Sequence, residues 1–117
     1  MACVDSIVGK ESEGLIYIHC NIYSMYVVVA FDISSEKVRG KIRRYLRRLG
    51  LSMVNRSVYA GVGGYKTASL ISDMAKRNLE EGDNLYIVVI RDSEYESSVN
   101  CAKGDCRKLS ERRYEVL

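Results

Sequence analysis

The alternation of apolar and polar positions divides the central part of the chain into strands and amphipathic helices. Residues 26–31 form a short apolar run of β-branched and aromatic side chains with one alanine, which predicts a strand buried on both faces. Apolar residues then recur at helical spacing and form one stripe, at Val38, Ile42, Tyr45, Leu46 and Leu49. The stripe predicts a helix that Ser34 or Ser35 caps and that Gly50 ends.

A pair of short strands, a second helix and a last strand follow. The alternation changes phase inside residues 51–62, so we expect a tight turn or bulge at Asn55, Arg56 and Ser57 between two strands. The spacing predicts a second helix over about residues 67–81 and a turn at Gly82-Asp83. Residues 85–90 are again continuously apolar and predict a strand.

The resulting order is strand, helix, strand, strand, helix, strand. This order is typical of the α+β class and predicts a ferredoxin-like βαββαβ sandwich, with an antiparallel sheet and two helices on one face. Right-handed crossovers place the first and third strands at the centre and the fourth beside the first. We therefore interpret residues 25–92 as the folded domain, residues 1–24 as an N-terminal extension and residues 93–117 as a polar tail without a clear strand pattern.

This topology brings separate polar segments to one edge of the sheet. The end of the first strand shares that edge with the turn between the second and third strands and with the start of the fourth. The residues expected on this rim are Asp32, Ser34, Ser35, Asn55, Arg56, Ser57 and Asp83.

The charge distribution indicates a polyanion partner. The chain has 117 residues and a net charge of only +3, but the segment from Lys37 to Arg56 holds eight basic residues and no acid. Charged flanks of an amphipathic helix often simply face solvent, yet mutual repulsion in so basic a helix favours counterions, and phosphates supply them. We expect backbone contacts and a strong salt dependence from Arg39, Lys41, Arg43, Arg44, Arg47 and Arg56.

Asp32 is the candidate metal ligand, because a carboxylate at a strand end beside phosphate-binding groups suits magnesium. A bound metal generates hydroxide near neutral pH without a side-chain base, and the chain's single histidine, His19, lies outside the predicted domain. An aspartate at this place also commonly caps the turn into a helix, and the pattern alone favours that simpler interpretation. Asp83 is interpreted as a turn residue in the same way.

The cysteines and the apolar run at residues 15–31 bear on two questions: whether the thiols are free and whether the chain enters a membrane. Cys3, Cys20, Cys101 and Cys106 include no Cys-x-x-Cys pair, so a zinc site has little support. Free thiols are expected in a cytosolic chain, with a terminal disulfide as the alternative in a hyperthermophile. The apolar run contains polar residues and is short for a bilayer span, which predicts a cytoplasmic protein without a membrane partner.

Four segments together resemble a known family: residues 25–34 (MYVVVAFDIS), Arg39 seven residues after Asp32, residues 54–61 (VNRSVYAG) and residues 83–90 (DNLYIVVI). As a set they resemble the CRISPR-associated endonuclease two family, the small partners of the spacer-acquisition integrase. The resemblance implies a ferredoxin-like homodimer in which Asp32 of each subunit faces its twin and the pair holds one Mg²⁺ or another divalent cation. It also implies that the tail adds a strand to the partner subunit's sheet.

At individual positions the chain matches the family in one case and differs from it in others. Arg39 matches a basic position of the family, and Tyr59 stands where the family usually has Phe. Phe31 replaces a frequent Tyr before the aspartate, and Asn55 replaces a usual Gln. Ser34, Asn55, Ser57 and Asp83 are the candidates for hydrogen bonds that support Asp32. Members usually begin at the first strand, so residues 1–24 are an extension or reflect an upstream start codon.

We expect a CRISPR protein of spacer acquisition: a magnesium-dependent endonuclease that acts on single-stranded RNA or double-stranded DNA in antiviral defence. The resemblance also implies a non-catalytic alternative, a subunit that bridges integrase dimers and holds DNA. A toxin-type ribonuclease of related fold and an effector-binding regulatory module remain further alternatives, although the basic helix does not favour the last.

Overall fold

The computed structural model describes residues 25–110, and the predicted extension at residues 1–24 lies outside this range. The first six elements follow the predicted order: β1 (Met25–Asp32), α1 (Glu36–Arg48), β2 (Ser52–Asn55), β3 (Val58–Val62), α2 (Tyr65–Asn78) and β4 (Asn84–Arg91). They form an antiparallel sheet in the order β2-β3-β1-β4. The predicted ferredoxin-like arrangement, with the first and third strands at the centre, is confirmed.

Helix α1 begins and ends where the sequence indicates. The Ser35 hydroxyl accepts a hydrogen bond from the Val38 amide at 3.3 Å, which caps the first turn. Gly50 follows the helix with a φ of 94°, a left-handed conformation that glycine adopts without strain. The predicted apolar stripe faces the sheet, since Val38, Ile42 and Leu46 are buried in the core.

The core lies between the two long helices and one face of the sheet. Val27 and Val29 of β1 are fully buried there, together with Tyr59 of β3 and Ile71 of α2. A register shift between Met53 and Asn55 forms the predicted irregularity in β2, and the turn to β3 follows directly. The turn region predicted at Asn55, Arg56 and Ser57 is therefore confirmed.

Strand β1 is not buried on both faces, which corrects one prediction. Its burial alternates: Val27, Val29 and Phe31 are buried, whereas Tyr26, Val28 and Ala30 are only half-buried. The reason is that α1 and α2 cover a single face of the sheet. The other side, to which Tyr26, Val28, Ala30 and Asp32 belong by alternation, is covered in part, since the Tyr95 ring stacks on Tyr26 with 4.2 Å between ring centroids. We call this side the open face.

Helix α2 is shifted by two to three residues from its predicted position. It begins at Tyr65 because Gly64 takes the N-cap position, and it ends at Asn78 because Leu79 is extended. The turn that follows is fixed from within, since the Glu80 amide donates a hydrogen bond to Asp83 Oδ2 at 2.9 Å. The predicted end at residue 81 is therefore too late.

The polar tail contains regular structure that the sequence pattern did not indicate. A short helix, α3 (Asp92–Ser97), is followed by a hairpin of β5 (Val99–Ala102) and β6 (Asp105–Lys108). Lys103 and Gly104, with φ of 55° and 78°, form its two-residue turn. These strands are exposed at almost every position, so they carry no hydrophobic alternation that could predict them.

Cys101 and Cys106 are directly opposite each other in this hairpin and form a disulfide with an S–S distance of 1.97 Å. The expectation of free thiols is therefore wrong for this pair. The pairing requires the turn at Lys103 and Gly104, which brings the two Cα atoms to 4.0 Å. Cys3 and Cys20 lie outside the described residues.

Candidate functional site

Asp32 ends β1 at the mouth of an open cleft. The carboxylate-bearing residue is exposed and lies opposite Asn84 in the register with β4. The cleft has a volume of about 470 Å³ and is lined by Phe31, Asp32, Ile33, Glu36, Arg39, Arg43, Arg56 and Ser57. A second, more apolar depression of about 370 Å³ meets it at Phe31 and Asp32. Asp32 thus borders both the basic cleft and the open face.

The loop between β1 and α1 is held from two sides. On one side the Ser34 amide donates a hydrogen bond to Asp83 Oδ1 at 3.3 Å. On the other, Arg39 Nη1 donates to the carbonyl oxygens of Ile33 at 2.7 Å and Ser34 at 3.4 Å. Arg39 Nη2 also forms an ion pair with Glu36. These contacts fix the backbone that directly follows Asp32.

The turn between β2 and β3 approaches Asp32 from the neighbouring strand. The Phe31 amide donates a hydrogen bond to the Ser57 carbonyl at 3.0 Å, which links the turn to the residue before Asp32. Within the turn the Ser57 amide donates to Asn55 Oδ1 at 3.0 Å, an interaction that is typical of an Asx turn. Arg43 Nη2 donates to the Arg56 carbonyl at 3.3 Å. The turn is thereby tied to both β1 and α1.

The predicted basic residues fall into two groups. Arg39, Arg43 and Arg56 line the cleft, and Arg39 and Arg43 lie on one flank of α1. Arg47 belongs to the same flank, but it lies beside Tyr59: Nη2 donates to Tyr59 Oη at 3.1 Å, and the guanidinium carbon is 5.8 Å from the ring centroid. Lys41 and Arg44 are exposed on α1 and do not line the cleft.

Arg43 has an unused hydrogen-bond donor. Its Nε atom is buried and has no partner within the described part of the chain, whereas its Nη2 atom reaches the Arg56 carbonyl. An unsatisfied buried donor is costly, and the cost is larger on a charged group. An anion that enters the cleft would supply acceptors close to this guanidinium.

A single copy of the described chain offers few metal ligands. Residues 25–110 contain no cluster of three or more His, Cys, Asp or Glu side chains that could surround an ion. Asp32 and Glu36 are the carboxylates of the cleft, and Glu36 is engaged by Arg39. Asp83 directs its two oxygens at backbone amides, in agreement with its interpretation as a turn residue. Among the described residues of this cleft, Asp32 is therefore the carboxylate that remains for an ion.

Some contacts of the site have weak or no signals in the sequence. The spacing of Glu36 and Arg39, three residues apart on a helix, indicates an ion pair. The hydrogen bond from Asn55 Nδ2 to Asn100 Oδ1, at 3.0 Å, joins residues 45 positions apart, and no sequence pattern indicates it.

None of the helices in residues 25–110 combines the length and apolar character needed to cross a membrane.

The fold and the cleft define a small ferredoxin-like protein that presents a strand-end aspartate beside a row of arginines. Comparison with known proteins specifies the family. The family profile described as "CRISPR associated protein Cas2" matches residues 25–98, and the chain belongs to this family. The resemblance seen in the sequence is thereby confirmed.

Individual relatives agree with this assignment. A protein from Thermofilum pendens named "CRISPR-associated endoribonuclease Cas2" is 52% identical over 92 residues, which cover 79% of this chain and 99% of that protein. A Pyrobaculum aerophilum protein named "CRISPR-associated endoribonuclease Cas2 2" is 35% identical over 57% of this chain and 72% of its own length. A Thermoproteus tenax protein named "CRISPR-associated endonuclease Cas1/endonuclease Cas2 fusion" is 38% identical over 45% of this chain and 19% of its own length.

Two solved structures share the fold. A structure titled "Crystal structure of cas2" aligns with a TM-score of 0.55 at 20% identity, over 67% of this chain and 87% of that one. A hypothetical protein, TT1823 from Thermus thermophilus, aligns with a TM-score of 0.50 at 20% identity, over 72% and 94% of the two chains. At this level of identity the likeness supports the architecture alone.

Proposed function

We propose that this Cas2-family chain is a metal-dependent endonuclease of CRISPR spacer acquisition. It would cleave phosphodiester bonds of single-stranded RNA or double-stranded DNA in the cytoplasm, as part of antiviral defence. The observation that carries the proposal is the exposed Asp32 carboxylate at a cleft that is also lined by Arg39, Arg43 and Arg56. The names of the relatives from Thermofilum pendens and Pyrobaculum aerophilum, both endoribonucleases, support the same reaction class.

The donor set fits Mg²⁺ in a homodimer better than in a monomer. Mg²⁺ is usually held by one or two carboxylates, keeps several waters and completes its coordination with phosphate oxygens. One copy of the chain offers Asp32 in the cleft, so Asp32 from two subunits would hold the ion. Both depressions that meet at Asp32 leave space for waters and a phosphate.

The open face is the surface through which we propose that the second subunit binds. Two large side chains of this face are exposed: Tyr86 of β4 is 68% exposed and Val62 of β3 is 51% exposed. An exposed apolar patch on a sheet is typical of a protein–protein interface. Asp32 belongs to this face by alternation, so pairing through it would bring two copies of Asp32 toward each other.

The residues of the cleft have distinct tasks in the proposed reaction. Asp32 from the two subunits would hold a divalent metal ion, which would supply a hydroxide nucleophile near neutral pH and offset charge on the phosphoryl oxygens. Arg43 and Arg56 bind the non-bridging phosphate oxygens, because a guanidinium offers two parallel donors to such a group. Arg39 holds the Ile33 and Ser34 carbonyls and so keeps Asp32 oriented toward the reacting phosphate.

The decisive experiment is cleavage of end-labelled single-stranded RNA and duplex DNA with Mg²⁺, with wild type beside Asp32→Asn. The matched control is Asp73→Asn, because Asp73 is exposed on α2 and does not line the cleft. Metal-dependent cleavage that is abolished in Asp32→Asn and kept in Asp73→Asn supports the proposal. Absence of cleavage, or equal cleavage by wild type and Asp32→Asn, contradicts it.

A second function is a non-catalytic subunit that bridges integrase dimers and holds DNA. Two observations favour it: the fused relative from Thermoproteus tenax carries Cas1 and Cas2 in one chain, and Phe31 brings no hydroxyl to the cleft. In this case Asp32→Asn would leave assembly with an integrase partner intact. Cleavage and co-purification with the partner and a DNA duplex are measured for wild type and Asp32→Asn. Assembly of both proteins without cleavage by either supports the bridging subunit, and cleavage by wild type that Asp32→Asn loses supports the nuclease.

A further inference from the structure

The side chain of Asn100 connects the β5–β6 hairpin to Asn55, the last residue of β2, which precedes the turn residues that line the cleft. Both strands are exposed almost throughout, but Asn100 is half-buried, and its Oδ1 atom accepts the hydrogen bond from Asn55 Nδ2 at 3.0 Å. The remaining oxygen of the pair, Asn55 Oδ1, accepts from the Ser57 amide at 3.0 Å. Asn55 therefore joins the hairpin to the β2–β3 turn with both ends of its amide.

The same turn is directly connected to Asp32. The Ser57 carbonyl accepts from the Phe31 amide at 3.0 Å, and Phe31 immediately precedes Asp32. Arg56, between Asn55 and Ser57, lines the cleft together with Ser57. A displacement of the turn would move Arg56 and release the backbone beside Asp32, and the hairpin opposes that displacement from the outer side.

The hairpin itself depends on its disulfide. A two-stranded hairpin is at best marginally stable in water, and here each strand has only four residues. Cys101 follows Asn100 directly and is bonded to Cys106 on the opposite strand. At the open end of the hairpin the Leu109 amide donates to the Ser98 carbonyl at 3.0 Å, and Leu109 is buried. The disulfide thus fixes the strand that carries Asn100, next to Asn100 itself.

We propose that the disulfide-closed β5–β6 hairpin positions the β2–β3 turn for nucleic-acid binding, with Asn100 as the positioning residue that acts through Asn55. Opening of the Cys101–Cys106 bond then weakens binding of the nucleic acid at the cleft. This inference rests on the proposed function of the Asp32 cleft, which it deepens by adding a redox-sensitive support.

The opening step is ordinary thiol–disulfide exchange with a dithiol reductant. The dithiol transfers two electrons and two protons, its own sulfurs become a disulfide, and Cys101 and Cys106 become two thiols. Both cysteines are exposed, so a thiolate can reach them. An oxidised dithiol of the same class restores the bond by the reverse exchange.

The experiment compares full-length wild type, oxidised and dithiol-reduced, with three variants: Asn100→Ala, Asn100→Asp and Cys101→Ser/Cys106→Ser. Hydrogen exchange of the Ser57 amide by NMR reports the position of the turn, and anisotropy of a labelled single-stranded RNA with Mg²⁺ reports binding. Asn78→Ala is the matched control, because Asn78 also donates a side-chain hydrogen bond, to the Met74 carbonyl on α2 at 2.8 Å.

We expect reduction, Asn100→Ala and the double serine variant each to speed Ser57 exchange and weaken RNA binding by about 3- to 10-fold, the effect of removing one net hydrogen bond. Asn100→Asp keeps the accepting oxygen, so exchange of the Ser57 amide should remain near that of wild type. Reduction should have no further effect on the binding of Asn100→Ala, because both changes break the same connection.

Unchanged Ser57 exchange and RNA binding in both Asn100→Ala and reduced wild type would overturn the inference, even if the double serine variant fails to fold. Failure of the proposed nuclease function is seen separately, as equal cleavage by wild type and Asp32→Asn. The amide exchange and the binding assay require no cleavage and therefore test the hairpin in either case.

Discussion

Asp83 Oδ1 accepts a hydrogen bond from the Ser34 amide at 3.3 Å, which connects the loop after β1 to the loop before β4. Its second oxygen accepts from the Glu80 amide at 2.9 Å, which closes the turn that ends at β4. One carboxylate therefore serves both as a turn residue and as a connection between two adjacent strand ends. Asp32 and its register partner Asn84 are next to these two loops.

We expect Asp83→Ala to lower the free energy of unfolding by about 1–2 kcal/mol, because two backbone amides lose a charged acceptor at a partly solvated site. Urea denaturation measures this change directly. Glu81→Ala is the control, since Glu81 is exposed in the same turn, and its effect should stay within about 0.5 kcal/mol. Equal stability of the two variants would show that the Asp83 contacts do not stabilise the loops.

Most of the fold is predictable because its signals are local and strong. The stripe of Val38, Ile42 and Leu46 requires a helix packed on a sheet, and the continuous apolar runs at residues 26–31 and 85–90 indicate strands. Strand order then follows from the handedness of crossovers. The same topology correctly places Asp32 and Ser57 on one rim.

The remaining features depend on contacts that leave no periodic pattern. Arg43 and Arg47 are equivalent by helical spacing, but the tertiary structure places Arg43 in the cleft and Arg47 against Tyr59 of β3. The hairpin is held by the covalent bond between Cys101 and Cys106 rather than by apolar burial, so a hydrophobicity pattern could not indicate it. Identical residue types thus acquire different tasks through tertiary contacts.

The exposed basic flank of α1 should dominate the salt dependence of nucleic-acid binding. We call the row formed by Lys37, Lys41, Arg44 and Arg48 the outer row; all four are exposed, and none forms an ion pair within residues 25–110. Removal of one phosphate-binding side chain should reduce the slope of log K against log salt concentration by about 1. We therefore expect Lys41→Ala/Arg44→Ala to reduce the slope by up to about 2.

The control for the outer row is Lys76→Ala/Arg77→Ala, which removes the same charge from the last turn of α2. Anisotropy titrations of a labelled duplex at several salt concentrations measure both slopes. An equal reduction in the two double variants would indicate a general effect of net charge, and an unchanged slope in Lys41→Ala/Arg44→Ala would exclude phosphate binding by these residues.

The proposed dimer through the open face can be tested with two exposed tyrosines. Tyr86 is 68% exposed on β4, and Tyr65 is 75% exposed at the start of α2, on the helix side of the sheet. We expect Tyr86→Glu to convert a dimer to a monomer in analytical ultracentrifugation, because a charge would be buried without a partner in the interface. Tyr65→Glu should leave the dimer intact; dissociation by both variants, or by neither, would contradict this interface.

Gly61 determines how closely the segment after α1 approaches β3, and this packing should be sensitive to a single methyl group. A Cβ atom at Gly61 would lie 2.7 Å from the Gly50 carbonyl oxygen and 2.9 Å from Leu51 Cα, both of which are backbone atoms that cannot rotate away. We expect Gly61→Ala to lower the free energy of unfolding by about 1–3 kcal/mol through this overpacking. Gly40→Ala adds the same methyl group inside α1, where the nearest atom is the end of the flexible Arg44 side chain at 3.4 Å, so it should not lower the free energy of unfolding in urea denaturation. Equal stability of the two variants would mean that the segment after α1 can shift away from β3 without destabilising the fold.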